Sequence, residues 1–173
     1  RGEVLEYTNK GMNILIKVKD EIKKFHTSLI GEYNLYNILG VVSVLINLGI
    51  DLNEIVDKIS KMKPVVGRFE LIENNLNARI VVDYAHTPDG LENVLNTLKN
   101  ITKGKVYCVF GAGGDRDKTK RPIMGKIATK YCDYLILTSD NPRTEDPLAI
   151  LSDIEEGIKE QNYTKYIKIE KRE

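Results

Sequence analysis

Residues 139–143 (SDNPR) have the residue types and the position of a recognition loop for an anionic small molecule. They follow an apolar run, residues 134–137, that predicts a buried strand of a parallel sheet. Open α/β sheets bind their ligands at the carboxyl ends of strands, and this polar segment stands at such an end. Asn141 can donate and accept hydrogen bonds, and Arg143 carries a planar fork that suits a carboxylate or a phosphate. Pro142 restricts the backbone between them, so the two side chains can keep a fixed relation.

A glycine-rich stretch, residues 111–118 (GAGGDRDK), follows another apolar run and ends in four charged residues. Its glycines could let the backbone approach a ligand closely. The stretch is not a dinucleotide fingerprint, because no glycine stands at the third required position, and it is not a Walker A loop, because Gly-Lys-Ser/Thr is missing. The alternative is a flexible charged loop whose Asp and Lys side chains pair in water, where such pairs contribute little. Taken alone, the stretch is a weak signal for a ligand site.

Residues 83–89 (DYAHTPD) end a predicted strand and open a predicted helix. Thr87 is a favoured N-cap residue and Pro88 is favoured at the first helical position, so both have a structural explanation. Asp83 and His86 do not. A carboxylate and an imidazole at the carboxyl end of a strand suit a ribose hydroxyl pair or another polar ligand. The spacing alone leaves the structural and the functional interpretation equally open.

Two asparagines and a further arginine complete the candidates. Asn34 and Asn37 lie one helical turn apart at the start of a predicted helix. They could cap that helix or bond to a base edge, and the spacing alone favours capping. Arg68, within the segment GRFE, could equally belong to an ordinary strand that begins after a turn.

Composition bounds the class of protein. The 173 residues are 42% hydrophobic and 29% charged, which predicts a packed core and argues against wholesale disorder. Lys and Arg number 26 against 25 Asp and Glu, and this balance argues against a general nucleic-acid or membrane-surface binder. The two cysteines, Cys108 and Cys132, lack metal-ligand spacing and favour a reduced, cytosolic setting. The longest apolar stretch is too short to span a bilayer. Because the first residue is Arg rather than Met, we expect a fragment of a longer polypeptide.

The first sixty-five residues should form strands followed by helices. The alternation predicts two successive hairpins or a small meander before residue 30, then a helix over about residues 32–48 and a shorter one over about residues 52–62. Apolar residues occupy most faces of the first helix, which predicts that it is well buried. Pro64 and Gly67 mark a turn or linker, and the domain boundary is placed between residues 65 and 66.

The remaining residues, 66–173, alternate between strands and helices, which predicts βαβ units and a mainly parallel sheet. The fold class is therefore α/β, preceded by the meander and its helices. The predicted strands cover residues 68–73, 78–83 and 105–110, a strand ending at Thr138, and residues 166–169. The predicted helices cover residues 88–101, 122–131 and 147–159.

Five segments taken together are far more specific than any one of them. In order and spacing they resemble the Mur ligases of peptidoglycan synthesis, and among these the branch that adds meso-diaminopimelate. The resemblance covers nearly the whole chain. It implies the end of the family's central ATP-binding domain over residues 1–65 and most of its Rossmann-like C-terminal domain, incomplete at its end, over residues 66–173. The five segments are residues 31–37 (GEYNLYN), 67–70 (GRFE), 82–89 (VDYAHTPD), 111–122 and 138–143 (TSDNPR).

The resemblance also implies a chemistry. Mur ligases use ATP to convert a peptide carboxylate into an acyl phosphate, which the amine of an incoming amino acid attacks to give an amide, ADP and phosphate. The family's P-loop, its Mg²⁺ ligands and its modified lysine have no counterpart in this sequence. We therefore expect ATP and Mg²⁺ to act in the full-length enzyme, and we expect this chain alone to be inactive, with no catalytic residue of its own.

Site residues follow by position in the matching motifs. An arginine in the Asp-Asn-Pro-Arg motif is the family's mark for meso-diaminopimelate, whose second carboxylate would satisfy a bidentate pair with Arg143, whereas lysine would leave it unpaired. The residues implied for the amino-acid substrate are Arg116, Asp140, Asn141 and Arg143. The residues implied for the nucleotide are Asn34, Asn37, Arg68, Asp83 and His86.

Several alternatives stay open. Within the same class, the parent could be a lysine-adding relative, a cyanophycin synthetase or a folylpolyglutamate synthetase, although the Asp-Asn-Pro-Arg motif argues against all three. From a different class, the chain could be a non-catalytic small-molecule binding module. The expected partners are ATP, meso-diaminopimelate and UDP-N-acetylmuramoyl-dipeptide, with neither nucleic acid nor membrane. Exposed strand edges and an exposed face of the first helix also predict self-association of the isolated chain.

Overall fold

The computed structural model describes residues 1–8 and 10–172, and the chain divides into two compact units, Arg1–Tyr84 and Ala85–Glu173. Each unit has its own hydrophobic core. The domain boundary between residues 65 and 66 stays a prediction.

The first unit contains an antiparallel meander, two helices and a short hairpin. In the meander the strand order is β1-β2-β3, and β4 pairs with β5, also antiparallel. The predicted meander and both helices are therefore confirmed. The elements are β1 (Gly2–Thr8), β2 (Gly11–Val18), β3 (Glu21–Thr27), α1 (Glu32–Asn47), α2 (Leu52–Ser60), β4 (Glu70–Ile72) and β5 (Ile80–Val82).

The core of this unit lies between the meander and the two helices. Alternate residues of β2, namely Met12, Ile14 and Ile16, are fully buried and belong to one cluster with apolar residues of α1 and α2. The prediction that α1 is well buried on most faces is wrong, because the meander and α2 cover only one stripe of it. Val44 is 60% exposed and Leu48 is 72% exposed. Neither α1 nor any other helix within the described residues is long and apolar enough to cross a membrane.

The second unit contains a parallel sheet in the order β6-β7-β8, with helices between the strands. The predicted α/β class and parallel sheet are confirmed. Thr87 caps α3 as predicted, since its hydroxyl accepts a hydrogen bond from the amide of Gly90. The elements are α3 (Pro88–Ile101), β6 (Tyr107–Phe110), α4 (Lys120–Tyr131), β7 (Tyr134–Thr138), α5 (Pro147–Lys159) and β8 (Tyr166–Ile169).

Helices α4 and α5 approach each other backbone to backbone. A Cβ atom added to Gly157 would overlap the carbonyl oxygen of Pro122, and one added to Gly125 would overlap the carbonyl oxygen of Ile154. Both glycines are buried. Only glycine permits this separation, so these two residues set the distance between the helices that follow the two candidate loops.

We predict that Gly157→Ala destabilises the protein. The added methyl group must displace backbone atoms rather than a flexible side chain, and overpacking of this kind costs about 1–3 kcal/mol. Chemical denaturation followed by circular dichroism measures the change. Gly104→Ala is the control, because a Cβ atom there meets no other atom within 4 Å. Equal stabilities of the two variants would contradict the prediction.

Candidate functional site

The two candidate loops leave the same edge of the parallel sheet. The β6–α4 loop (residues 111–119) follows β6, and the β7–α5 loop (residues 139–146) follows β7. Phe110 and Leu137 are paired across the two strands, so both loops begin at the same level. This is the carboxyl edge, where open α/β sheets bind ligands.

The two loops contact each other through their backbones. The amide of Gly114 donates to the carbonyl oxygen of Asn141 at 2.9 Å. A Cβ atom on Gly114 would overlap the carbonyl oxygen of Pro142, and one on Gly111 would overlap that of Thr138. Gly114 therefore approaches the neighbouring loop and Gly111 approaches the end of β7, whereas the sequence suggests that these glycines approach a ligand.

A buried ion pair joins the β7–α5 loop to the first turn of α4. The Arg121 side chain is 0% exposed and that of Glu145 is 14% exposed. Arg121 donates from Nη2 to Glu145 Oε1 at 2.8 Å and from Nη1 to Glu145 Oε2 at 3.0 Å. Its Nη1 also donates to Asp153 Oδ2 at 2.8 Å. The geometry is the two-pronged pairing of a guanidinium with a carboxylate, which is both strong and directional.

Glu145 also binds the β6–α4 loop. Its Oε1 accepts from the amide of Asp115 at 2.6 Å, and its Oε2 lies 3.0 Å from Lys118 Nζ. Hydrogen bonds from Arg121, then from Lys118 and from the Asp115 amide, lower the pKa of Glu145 to about 2. The same pairing with Glu145, together with Asp153 and against the opposing effect of burial, raises the pKa of Arg121. Both groups are therefore charged at neutral pH.

Further hydrogen bonds order both loops. Asp115 accepts from the hydroxyl of Thr144 at 2.7 Å and from its amide at 3.3 Å. Asp115 and Arg143 both have φ of 52°, a left-handed conformation that residues other than glycine seldom adopt. Arg143 donates from its amide to Asn141 Oδ1 at 3.3 Å and from Nη1 to the carbonyl oxygen of Gly114. The alternative of a flexible loop whose charges merely pair in water does not describe this arrangement.

The loops present two arginines that no carboxylate neutralises within residues 1–8 and 10–172. Arg116 and Arg143 are exposed. The guanidinium of Arg116 donates to the carbonyl oxygen of Asp115 at 3.5 Å, and the guanidinium of Arg143 donates to that of Gly114. Of the other two predicted substrate residues, Asp140 pairs with Arg172 at 3.2 Å, and Asn141 accepts from the amide of Arg143. Because their guanidinium groups lack a carboxylate partner, Arg116 and Arg143 can bind an anion such as a carboxylate.

The asparagine pair does not cap α1. The N-cap residue is Gly31, and it makes no side-chain capping bond. Asn34 donates from Nδ2 to the carbonyl oxygen of Ile30 at 2.8 Å, and Asn37 donates from Nδ2 to Asn34 Oδ1 at 3.3 Å. The capping interpretation is therefore wrong, because both side chains donate from their amides instead of accepting from the first-turn N–H groups. A role toward a base edge stays a prediction.

Arg68 and Asp83 lie in the first unit. Asp83 Oδ2 accepts from the amide of the buried Phe69 at 2.7 Å, while the Arg68 guanidinium stacks 4.5 Å from the centre of the Tyr84 ring. Burial, and then the charge of Asp83, raise the pKa of Tyr33, which indicates that Asp83 lies near the start of α1. Four of the five predicted nucleotide residues thus belong to this unit.

The fifth, His86, belongs to the second unit. It is exposed, and its carbonyl oxygen accepts from Lys120 Nζ at 2.8 Å. No group of three or more His, Cys, Asp or Glu side chains in the described part of the chain is arranged to hold a metal ion.

Sequence reasoning missed the residues that hold the loops together, Arg121, Glu145 and Asp153. Arg121 and Glu145 are 24 positions apart and Arg121 and Asp153 are 32 positions apart. No periodicity or motif connects them. The usable signal was an arginine in the first turn of a helix that packs on a sheet, where a buried charge requires a partner.

Comparison with known proteins identifies related chains. Residues 67–173 match the family described as "Mur ligase, glutamate ligase domain". A Clostridium botulinum protein named UDP-N-acetylmuramoyl-L-alanyl-D-glutamate--2,6-diaminopimelate ligase is 46% identical over 165 residues, which is 94% of this chain and 34% of that protein. The protein of the same name from Prochlorococcus marinus is 48% identical over 155 residues, 89% of this chain and 31% of its own length. The chain spans about a third of the length of these relatives.

Solved structures agree with the fold. A structure of a UDP-N-acetylmuramoyl-L-alanyl-D-glutamate--2,6-diaminopimelate ligase matches 96% of this chain and 34% of that chain, with a TM-score of 0.63 and 36% identity. The UDP-N-acetylmuramate-alanine ligase of Thermotoga maritima matches 99% of this chain and 36% of that chain, with a TM-score of 0.76 and 19% identity. The second likeness concerns the fold alone.

The lowered pKa of Glu145 predicts a loss of stability in acid. In an unfolded chain this carboxylate takes up its proton near pH 4.5, whereas in the folded protein it does so near pH 2. The stabilisation by Glu145 is therefore complete above about pH 4.5 and decreases as the pH falls toward about 2. We expect Glu145→Gln to be less stable than wild type at neutral pH, with a difference that shrinks through this window. Chemical denaturation at several pH values measures it.

Glu156→Gln is the control for that experiment. Glu156 is exposed and forms no ion pair with another described residue. Its replacement should change stability little at any pH. A stability difference between wild type and Glu145→Gln that stays constant down to about pH 3 would contradict the assigned pKa.

Proposed function

The chain belongs to the Mur ligase family, and from that premise we propose that the full-length protein adds meso-diaminopimelate to UDP-N-acetylmuramoyl-L-alanyl-D-glutamate in an ATP-dependent reaction. Relatives that are 46–48% identical over most of this chain carry the name of that ligase. The observation that carries the proposal is the pair of exposed arginines, Arg116 and Arg143, without a carboxylate partner in the described residues.

Two unpaired guanidinium groups fit the amino acid that this reaction consumes. Meso-diaminopimelate has a carboxylate at each end, and one end must present its amine for attack on the acyl phosphate. Arg143 binds the carboxylate at the far end, and Arg116 and Asn141 contribute to holding the same amino acid. Lysine has no far carboxylate and would leave Arg143 without an anion. A site built to bond a polar group rejects an analogue that lacks it.

Asp140 has a supporting part in this proposal. Its carboxylate pairs with Arg172, whose Nε also donates to the carbonyl oxygen of Ser139 at 2.6 Å. The pairing fixes the first residues of the β7–α5 loop and keeps the Asp140 charge next to a cation. Asp140 then either meets an amino group of the substrate or orients the loop for Asn141.

The nucleotide side of the proposal rests on side-chain chemistry. Asn34 and Asn37 offer amides that suit the edge of adenine, and the cation of Arg68 suits phosphate. Asp83 and His86 suit a ribose hydroxyl pair. ATP supplies the phosphoryl group that activates the peptide carboxylate. We expect the P-loop and the Mg²⁺ ligands in parts of the full-length protein outside this chain.

The wider setting follows from the same proposal. Residues 1–65 would complete the ATP-binding domain and residues 66–173 would form most of the C-terminal domain. All proposed partners are small molecules: ATP, meso-diaminopimelate and the UDP-linked dipeptide. We expect the reaction to take place in the cytoplasm. Self-association of the isolated chain stays a prediction, which the exposed apolar residues of α1 support.

We predict that Arg143→Met in the full-length protein removes the preference for meso-diaminopimelate. Loss of the guanidinium proposed to bind the far carboxylate of meso-diaminopimelate should lower kcat/KM for this amino acid by about a hundredfold or more. Amino-acid-dependent release of ADP, measured with meso-diaminopimelate and with lysine, gives the result. Lys126→Met is the matched control, because Lys126 is an exposed cation of α4 outside both loops.

Three other outcomes have definite meanings. Release of ADP by the wild type with lysine instead of meso-diaminopimelate keeps the family and overturns the role of Arg143. Equal effects of Arg143→Met and Lys126→Met place selection outside the β7–α5 loop. No release with either amino acid favours another ligase substrate or a non-catalytic binding module.

A further inference from the structure

One carboxylate holds the two arginine-bearing loops at a fixed separation. Glu145 lies in the β7–α5 loop, two residues after Arg143, and its amide donates to the carbonyl oxygen of Pro142 at 3.0 Å, which closes a turn around Arg143. Its carboxylate accepts from the amide of Asp115, the residue next to Arg116, at 2.6 Å. Glu145 therefore fixes the backbone beside both arginines.

Arg121 fixes Glu145 in turn. Its guanidinium, in the first turn of α4, donates to both carboxylate oxygens of Glu145, at 2.8 and 3.0 Å. Nη1 also donates to Asp153 of α5 at 2.8 Å. Its Nη2 also points to the carbonyl oxygen of Gly113 at 3.4 Å. The ion pair thus ties both loops to both helices of this edge.

We infer that Arg121 and Glu145 are positioning residues for the choice of amino acid, because their ion pair sets the distance between Arg116 and Arg143. Neither residue contacts the substrate in this scheme. The two arginines do so, and they meet the carboxylates of one amino acid only at the separation that the pair imposes. The identity of the amino acid rests on the proposed function, whereas the positioning rests on the geometry of the loops.

The backbone of the loops explains why the pair is needed. Asp115 and Arg143 both occupy the left-handed region, with φ of 52°. Such conformations are costly for non-glycine residues and persist only where the surroundings over-determine them. Without the charge on Glu145, the buried guanidinium of Arg121 keeps only Asp153 as a charged partner, and the constraint on Asp115 weakens. A shift of about 1 Å in a positioning group can cost on the order of a hundredfold in rate.

The same unit contains a matched carboxylate that does not touch the loops. The Glu155 side chain is 13% exposed, like that of Glu145, and it pairs with Lys159 and Lys168 at 3.0 Å each. It also accepts from the hydroxyl of Tyr166 at 2.7 Å. Lys159 is the last residue of α5, and Tyr166 and Lys168 belong to β8. Loss of the Glu155 charge therefore disrupts a network of similar strength without reaching either arginine.

The experiment compares Glu145→Gln with Glu155→Gln in the full-length protein. We expect Glu145→Gln to raise the KM for meso-diaminopimelate about tenfold or more while the KM for ATP changes little, and Glu155→Gln to change neither. In an Arg143→Met background, the effect of Glu145→Gln on the KM for meso-diaminopimelate should largely disappear, because the arginine that Glu145 positions is already gone.

A second measurement reads the loops directly. The amide of Gly114 bonds to the carbonyl oxygen of Asn141 across the two loops, so its hydrogen exchange reports their contact. We expect this amide to exchange about tenfold faster or more in Glu145→Gln and at the wild-type rate in Glu155→Gln.

The outcomes separate the inference from the proposed function. Equal effects of Glu145→Gln and Glu155→Gln on both the KM and the Gly114 exchange rate would overturn the inference, and so would equal increases in the KM values for ATP and for meso-diaminopimelate. If the wild type releases no ADP with meso-diaminopimelate, the proposed function fails. The positioning claim is then decided by the exchange rate of Gly114, with faster exchange in Glu145→Gln alone supporting it.

Discussion

The geometry of the candidate site depends on the buried pairing of Arg121 with Glu145. Burying a guanidinium costs desolvation free energy. This cost is offset only where its N–H groups donate to well-placed carboxylate oxygens. Here both oxygens of the Glu145 carboxylate and one oxygen of Asp153 pair with Nη1 and Nη2, while Nε is buried without a hydrogen-bond partner among the described residues. Because the partners come from a loop and from a second helix, satisfying one buried cation fixes the relative positions of three segments at once.

The remaining features of this edge follow from that constraint. The β6–α4 loop can lie against the β7–α5 loop only because Gly111 and Gly114 carry no side chain where the neighbouring backbone passes. Once the loops are in contact, hydrogen bonds among Asp115, Thr144 and Glu145 pair the polar groups of these three residues with one another. The arginines that remain exposed are the ones with no such partner. The positive charge of the site thus comes from Arg116 and Arg143, which form no ion pair with the described residues.

Much of the fold could be predicted from local signals in the sequence. Helices α3 and α5 begin at Pro88 and Pro147 as predicted, because proline after a capping residue is an unambiguous start. The strands of the parallel sheet were visible as short apolar runs between turn residues. The burial of α1 was predicted wrongly. An apolar composition shows that a helix can be buried on most faces, but it does not show whether other elements pack against those faces.

The site was predictable only in part, for a related reason. The arginines and asparagines of the loops stand in motifs, so their positions could be recognised from neighbours in the chain. The capping role expected for Asn34 and Asn37 was wrong because Gly31 already supplies the turn into α1, and their amides then donate instead of accepting. The Arg121–Glu145 pair joins distant positions, and only the folded structure brings them together.

The backbone contact between α4 and α5 has a mechanical consequence. With Gly125 and Gly157 seated against the neighbouring helix, the two helices have no compressible layer of side chains between them at these points. The Arg121–Glu145 ion pair also holds together the two loops that precede these helices. Helices and loops therefore form one rigid body. A large conformational change in the full-length protein would then move both loops as one body and would leave the positions of Arg116 and Arg143 relative to each other unchanged.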